Sequence, residues 1–291
     1  MSRIDEALKR TKAEIPDTPA SGQVFKAAWT VTGGENSPPT GRRLEHAPMV
    51  LEPAEGGGSS IGMARFSSQW RERLAAGPGS DGGLTEQFRR LAATLHHARQ
   101  ANGLHDVMLT SFSPSEGKTL TAVNLALVLA ESYRYRVLLV DADLRRPSIP
   151  NVVDLGIGDG CGLSDALTAL TEQKLALVPI TARLTLLPAG RPIANSIEAL
   201  TSPRMRQILD EAATRFDWVI LDAPPVGPAT DARLLAQMVG GTLFVIHAGR
   251  TQHPDVQKAI EAIGREQILG VVLNGVEDPG AAAYYYGTAK D

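Results

Sequence analysis

Leu109-Thr110-Ser111-Phe112-Ser113-Pro114-Ser115-Glu116-Gly117-Lys118-Thr119-Leu120-Thr121 is the stretch on which the fold turns. An apolar run from Val107 to Leu109 enters a short polar loop that ends in Gly-Lys-Thr. A helical pattern follows, with Leu120, Val123, Leu127 and Ala130 on one face. Strand, loop with Gly-Lys-Thr and helix is the context of a phosphate-binding loop. Gly117 lets the backbone approach an anion, and the first amides of the helix and its dipole favour negative charge there. Lys118 can reach terminal phosphates, and the Thr119 hydroxyl can hold Mg2+. Ser113, Glu116 and Leu120 complete the loop residues assigned to the nucleotide. The loop departs from the standard pattern at two positions. Phe112 stands where the first glycine falls, and Ser115 where a second glycine is common.

The chain around this loop has 291 residues, 43% of them hydrophobic, enough for one large domain or two small ones. A net charge of -3 gives no basic field for nucleic acid. Cys161 is the only cysteine, which rules out a disulfide within the chain and suits a reducing compartment. No apolar run approaches the roughly 18 residues of a membrane span, and the first residues, Met1 to Glu6, lack the apolar core of a signal peptide. The expectation is a cytoplasmic protein brought to a membrane, if at all, by a partner.

Downstream, apolar runs at 107–112, 136–140, 184–188, 218–221, 242–247 and 269–273 alternate with helical stretches near 117–131, 163–172, 194–214, 229–238 and 254–266. The strands are rich in Val, Ile and Leu with little alternation, as when both faces of a sheet are covered. The rhythm predicts an α/β fold: a doubly wound, mostly parallel sheet of the P-loop type, with helices on both faces. Ligands of such sheets sit at the carboxyl ends of the strands. An amphipathic helix with Leu84, Phe88, Leu91 and Leu95 on its apolar stripe opens the domain, which is expected to span 84–280. Residues 1–83 read as a disordered segment rich in Gly, Pro, Ser and Thr. Within it residues 3–10 could make a short helix, a docking segment or a frayed end, and Trp29 and the stretch from Phe66 to Leu74 read as short islands of transient helix or of a binding motif.

Three strand ends carry chemistry. Val137-Leu138-Leu139-Val140-Asp141-Ala142-Asp143-Leu144-Arg145-Arg146-Pro147 places two carboxylates at the end of a buried strand, costly unless they meet a cation. Arg145 and Arg146 can neutralise phosphate or pair with these acids. Trp218-Val219-Ile220-Leu221-Asp222-Ala223-Pro224-Pro225 is a hydrophobic run ending in Asp, a Walker B pattern whose carboxylate serves the Mg2+ shell. Asn274, leaving the last strand, could read a base edge or simply form a turn. Beyond it a tail of small residues, 281–291, carries Tyr284, Tyr285 and Tyr286. A phenol with a pKa of about 10 is a weak nucleophile near neutrality unless a carboxylate activates it. Packing of the tail on the body is the plain alternative.

Together these pieces resemble the bacterial tyrosine kinases of capsule and exopolysaccharide operons, over about residues 84–291. They are Ser111 to Thr119 with Asn124-Leu125-Ala126, then Val137 to Pro147, Asp217 to Pro225, and the tyrosine tail. Asp141-Ala142-Asp143 with Arg145 looks like the family's additional Walker A-prime motif, and Ser2 to Leu8 looks like the start of its stand-alone members. The resemblance implies an autokinase that moves the terminal phosphate of ATP to tail tyrosines, Tyr284, Tyr285 and Tyr286, of a neighbouring subunit. Lys118 and Thr119 would then hold phosphates and Mg2+. Asp143 and Asp222 would organise the metal, and Asp141 would take the tyrosine proton. It further implies a membrane-embedded chain-length regulator as activator, a cognate tyrosine phosphatase, and a ring-shaped oligomer that phosphorylation disperses. Glu86 and Arg89 match two positions of the family's ring-forming motif; the third position holds Ala92. Positioning ATPases of the ParA/MinD type share the fold but carry a lysine where this chain has Ser113. A nucleotide-binding scaffold without kinase activity is the other alternative.

Overall fold

The computed structural model describes residues 28–31, 51–53, 66–76, 80–153, 162–169, 175–227 and 230–276. Its strands are β1 (Ala28–Val31), β2 (Leu51–Pro53), β3 (Asp106–Ser111), β4 (Val137–Asp141), β5 (Leu175–Pro179), β6 (Leu184–Leu187), β7 (Trp218–Asp222), β8 (Thr242–His247) and β9 (Ile268–Asn274). They form one sheet in the order β1-β9-β8-β3-β7-β4-β6-β5-β2. The central strands β9-β8-β3-β7-β4-β6 are parallel throughout. β1 adds antiparallel to β9, β5 runs antiparallel to β6, and β2 pairs parallel with β5.

The helices are α1 (Ser68–Arg71), α2 (Gly82–Asn102), α3 (Lys118–Glu131), α4 (Leu163–Thr168), α5 (Ser196–Leu200), α6 (Pro203–Arg215), α7 (Asp231–Ala236) and α8 (His253–Ile263). α2 starts on Asp81, whose carboxylate accepts the Gly83 amide, and stops at Gly103 in the left-handed region, φ 69°. Such caps at both ends fix the frame of a helix that its apolar stripe only outlines.

Each central strand feeds both faces of the sheet. Met108, Leu138, Val140, Val219 and Leu221 point into one core, shared with α4 to α8. Their neighbours Val107, Leu109, Val137, Leu139, Trp218 and Ile220 point into the other, shared with α2 and α3. Side chains alternate along a strand, so a run with no polar member needs a layer on each side. The doubly wound expectation is met.

The structure differs from the sequence reading in three places. The stretch expected as one helix near 194–214 is two, broken where Ser202 caps α6 and Pro203 takes its first position. β1, β2 and β5 lie outside every predicted strand, β1 and β2 within the segment read as disordered. The linker reading fails for 66–76. Phe66, Leu74 and Ala75 are fully buried in the core of α2 and α3, although α1 has only four residues. A side chain of α3 holds this segment: Asn124 Oδ1 accepts the Ala75 amide at 2.7 Å, and its Nδ2 donates to the Arg73 carbonyl at 3.0 Å. The helix expected at 3–10 and the tail tyrosines Tyr284, Tyr285 and Tyr286 lie outside the described residues.

Candidate active site

β3 occupies the middle of the parallel sheet, between β7 and β8. Its carboxyl end therefore faces loops from several strands at once. Residues 112–117 fold as a tight loop onto α3, with Gly117 at φ 90° as the cap. A side chain on Gly117 would both strain that backbone and sit 1.8 Å from Asn274 Nδ2, so only glycine fits. Ser115 also takes a left-handed conformation, φ 64°, which explains why glycine is common there.

The loop is braced from within and from the neighbouring strands. Glu116 Oε2 accepts the amides of Phe112 and Ser113 at 2.9 and 3.2 Å, and its Oε1 accepts the Thr251 hydroxyl at 2.6 Å. Asn274 Nδ2 donates to the Glu116 carbonyl at 3.0 Å. The side chains of Glu116 and Asn274 thus shape the loop, Asn274 as a brace. Phe112, at the position of the first glycine, keeps its backbone outside the left-handed region; its carbonyl accepts the Gly227 amide at 3.0 Å and its ring covers Gly227. Leu120 and Gly117 line a small hollow with Leu84, Phe88, Thr121 and Asn274.

Lys118 lies in the first turn of α3, buried, and its Nζ donates to Asp222 Oδ1 at 2.5 Å. Thr119 Oγ1 and Ser148 Oγ are 2.6 Å apart, and Ser148 reaches Asp222 Oδ2 at 3.4 Å. Asp141 is the register partner of Asp222 on the adjacent strand. Its carboxylate accepts the Ile149 and Asp143 amides at 3.2 and 3.3 Å. Asp143 accepts the Arg146 amide at 3.0 Å. Lys118, Asp141, Asp143, Asp222 and Thr119, predicted from separate stretches, therefore converge.

Three carboxylates and one ammonium in a buried site leave excess negative charge. Burial, then the neighbouring Asp222 carboxylate, push Asp141 up to about 8. Burial likewise raises Asp143. This crowding is what a cation relieves. Among the described residues no three His, Cys, Asp or Glu side chains form a ready-made metal cage. The oxygens of Thr119, Asp143 and Asp222 instead suit a hard ion that keeps waters and phosphate oxygens in its shell, as Mg2+ does.

Arg145 does not pair with Asp141 or Asp143. It turns to Asp231 and Ser196, with Nε 2.9 Å from Asp231 Oδ2 and 2.7 Å from Ser196 Oγ. Arg146 is exposed. Glu86 and Arg89 lie on the outer face of α2, where Glu86 pairs with Arg90 at 3.4 Å. Ala92 is buried in the core, a position with no room for arginine. Ser148, Asn124, Thr251, Ser196 and Asp231 escaped the sequence reading as site residues. Only Asn124 carried a signal, as part of the quoted helix motif.

Comparison with known proteins agrees with this geometry. The family model of the CobQ/CobB/MinD/ParA nucleotide binding domain matches residues 107–286. The tyrosine-protein kinase YwqD of Bacillus subtilis (strain 168) is 34% identical over 208 residues, covering 70% of this chain and 86% of that protein. The chain belongs to the bacterial tyrosine kinases. Within that family the tyrosine-protein kinase wzc of Salmonella typhimurium is 32% identical over 235 residues, 77% of this chain, which spans only 32% of that longer protein. The solved kinase domain of the Escherichia coli tyrosine kinase ETK superposes with a TM-score of 0.60 at 30% identity, covering 67% of this chain and 76% of that one. No helix among the described residues is long and apolar enough to cross a membrane.

Proposed function

We propose that this family member is an ATP-dependent tyrosine autokinase that phosphorylates Tyr284, Tyr285 and Tyr286 of a neighbouring subunit and so regulates extracellular polysaccharide assembly. The observation that carries the reading is the acidic pair Asp141 and Asp143, buried beside the Lys118–Asp222 contact at the mouth of the loop. Nucleotide hydrolysis needs one such carboxylate for the metal shell; a second, with raised proton affinity, suits an acceptor that must lose a proton.

In this reading the loop amides around Gly117 and the Lys118 ammonium bind the β- and γ-phosphates of ATP. The tyrosine oxygen attacks the terminal phosphorus, the bond to the β-phosphate oxygen breaks, and ADP leaves. The phenolic proton goes to Asp141. Burial raises the proton affinity of Asp141 above that of a solvent-exposed aspartate, while a bound cation and the nearby Lys118 would keep it ionised and able to take the proton. Thr119, Asp143 and Asp222 would hold Mg2+, which would supply neutralising charge beside the phosphates. Glu86 and Arg89 present an outer face of α2 for self-association, and a membrane-embedded regulator and a phosphatase complete the system.

The test is phosphotyrosine mapping by mass spectrometry on protein isolated from its own cells, wild type against Lys118→Ala. Phosphate on residues 284–286 in the wild type alone is the expected result. Tail phosphate at wild-type level in Lys118→Ala removes the site assignment. Intact nucleotide hydrolysis with no tail phosphate in either protein removes the kinase reading.

A further inference from the structure

Arg145 is held in an unusual way. Its guanidinium meets Asp231 side-on, with Nε 2.9 Å from Oδ2 and Nη2 3.5 Å from Oδ1. The same Nε–H is shared with the Ser196 hydroxyl at 2.7 Å, and that hydroxyl donates to Asp231 Oδ2 at 2.5 Å. The two partners are buried, Asp231 at 1% exposure and Ser196 at 0%, whereas the Arg145 side chain is 42% exposed. The three residues come from the segments that follow three different strands. Arg145 follows β4 two residues after Asp143, Ser196 opens α5 after β6, and Asp231 opens α7 after β7. β6, β4 and β7 are consecutive in the sheet, so the cluster lies at the same carboxyl edge as Asp141 and Asp222.

We infer that Asp231, with Ser196, is a positioning residue that fixes Arg145 over the carboxyl edge of β4 so that its open side meets the phosphoryl group in transit. This rests on the kinase reading above and adds residues to it. A structural staple between loops does not need this design. Burying a carboxylate to bind a half-exposed arginine is a poor source of stability, since an apolar contact of the same size does as well or better. What a side-on carboxylate with a shared hydroxyl does provide is one orientation of a planar, permanently charged group. Arg145 follows Asp143 by two residues on the same loop and feels its charge only weakly beside that of Asp231. A charge fixed before reaction serves a transition state in which negative charge spreads over the phosphoryl oxygens.

The experiment is a double-mutant cycle on the full-length protein, with ADP release at varied ATP as the primary readout, tyrosine phosphate as the second, and Lys118→Ala as the background. Asp231→Asn keeps the shape and removes the charge. It should lower kcat roughly 10- to 100-fold, the effect of a small misplacement at a reacting centre, with KM for ATP within about twofold of wild type. Introduced into Arg145→Ala, it should lower kcat no further. An additive loss in the double variant overturns the proposal, because Asp231 would then act other than through Arg145. So does a rise in KM at unchanged kcat. If Asp231→Asn fails to fold, as judged by its thermal transition, Ser196→Ala takes its place. It removes one hydrogen bond and no charge, and must show the same loss of effect in the Arg145→Ala background. ADP release without tyrosine phosphate in the wild type would end the kinase reading yet still let the cycle decide on Asp231. Absence of both overturns both.

Discussion

Leu74→Ala separates a folded segment from a linker. Leu74 has no exposed surface and packs in the core shared by α2 and α3. Truncating a fully buried leucine removes its transfer free energy and leaves a cavity, together about 3–4 kcal/mol for a site that cannot collapse. Collapse is restricted here because the flanking backbone is pinned: the Ala75 amide and the Arg73 carbonyl both bond to Asn124 on α3. For a domain of this size each kcal/mol lowers the melting temperature by roughly 2–4 °C, so the expected drop is about 6–16 °C. Thermal and urea unfolding followed by circular dichroism would measure it, and an unchanged urea m-value would show that stability alone has moved. A loss under about 0.5 kcal/mol, the size of an ordinary surface change, would refute the packing and return residues 66–76 to the linker.

Three further outcomes follow from the site. Ser115→Gly relieves a left-handed backbone at φ 64° while making the unfolded chain more flexible. The two effects nearly offset, and stability should change by between zero and about +1 kcal/mol in urea titrations. Gly117→Ala, by contrast, meets Asn274 at 1.8 Å in a strained backbone, and should abolish binding of a fluorescent ATP analogue while the domain remains folded by circular dichroism. Asp141→Asn probes the raised carboxyl. Burial and the Asp222 carboxylate hold its pKa at about 8 in the folded protein, far above the ordinary aspartate value of 3.8. The native state therefore binds a proton that the unfolded state has lost, and wild-type stability falls as pH rises from about 4 to 8. In the asparagine variant this contribution vanishes, so its stability relative to wild type should rise across that window and level off above it. A parallel pH dependence of the two proteins would contradict the buried, charge-crowded setting of Asp141.

Much of the fold was legible because its signals are local. Six strands of the sheet are continuous apolar runs, and the Gly-Lys-Thr loop sits between one of them and an amphipathic helix, so the parallel core follows from periodicity. Asp141, Asp143 and Asp222 were found for the same reason: each ends such a run, and strand ends on one edge must meet. β5 was missed because Leu175-Ala176-Leu177-Val178-Pro179 is short and ends in proline. Phe66 to Ala75 looked like linker because four helical residues carry almost no periodic signal; what fixes them is an amide 49 residues away. The support residues follow the same rule. Ser148, Thr251, Ser196 and Asp231 are ordinary polar residues in loops or at the starts of short helices, and their roles depend on partners brought close only by the sheet. Arg145 shows the limit most directly. Acids stand two and four residues before it, yet its partner is Asp231, 86 residues on.

The bracing of the loop also bears on when the protein becomes competent during its own synthesis. Lys118 finds Asp222 across 104 residues of chain, Glu116 finds Thr251 across 135, and the Asn274 amide closes on Glu116 across 158. Contacts of such separation form only after most of the chain is available. A nascent polypeptide that has exposed the Gly-Lys-Thr motif but not yet the last strand holds a nucleotide loop without its brace. Emergence of β9 from the ribosome is thus the event that finishes the loop, and the tail tyrosines follow it out only after that.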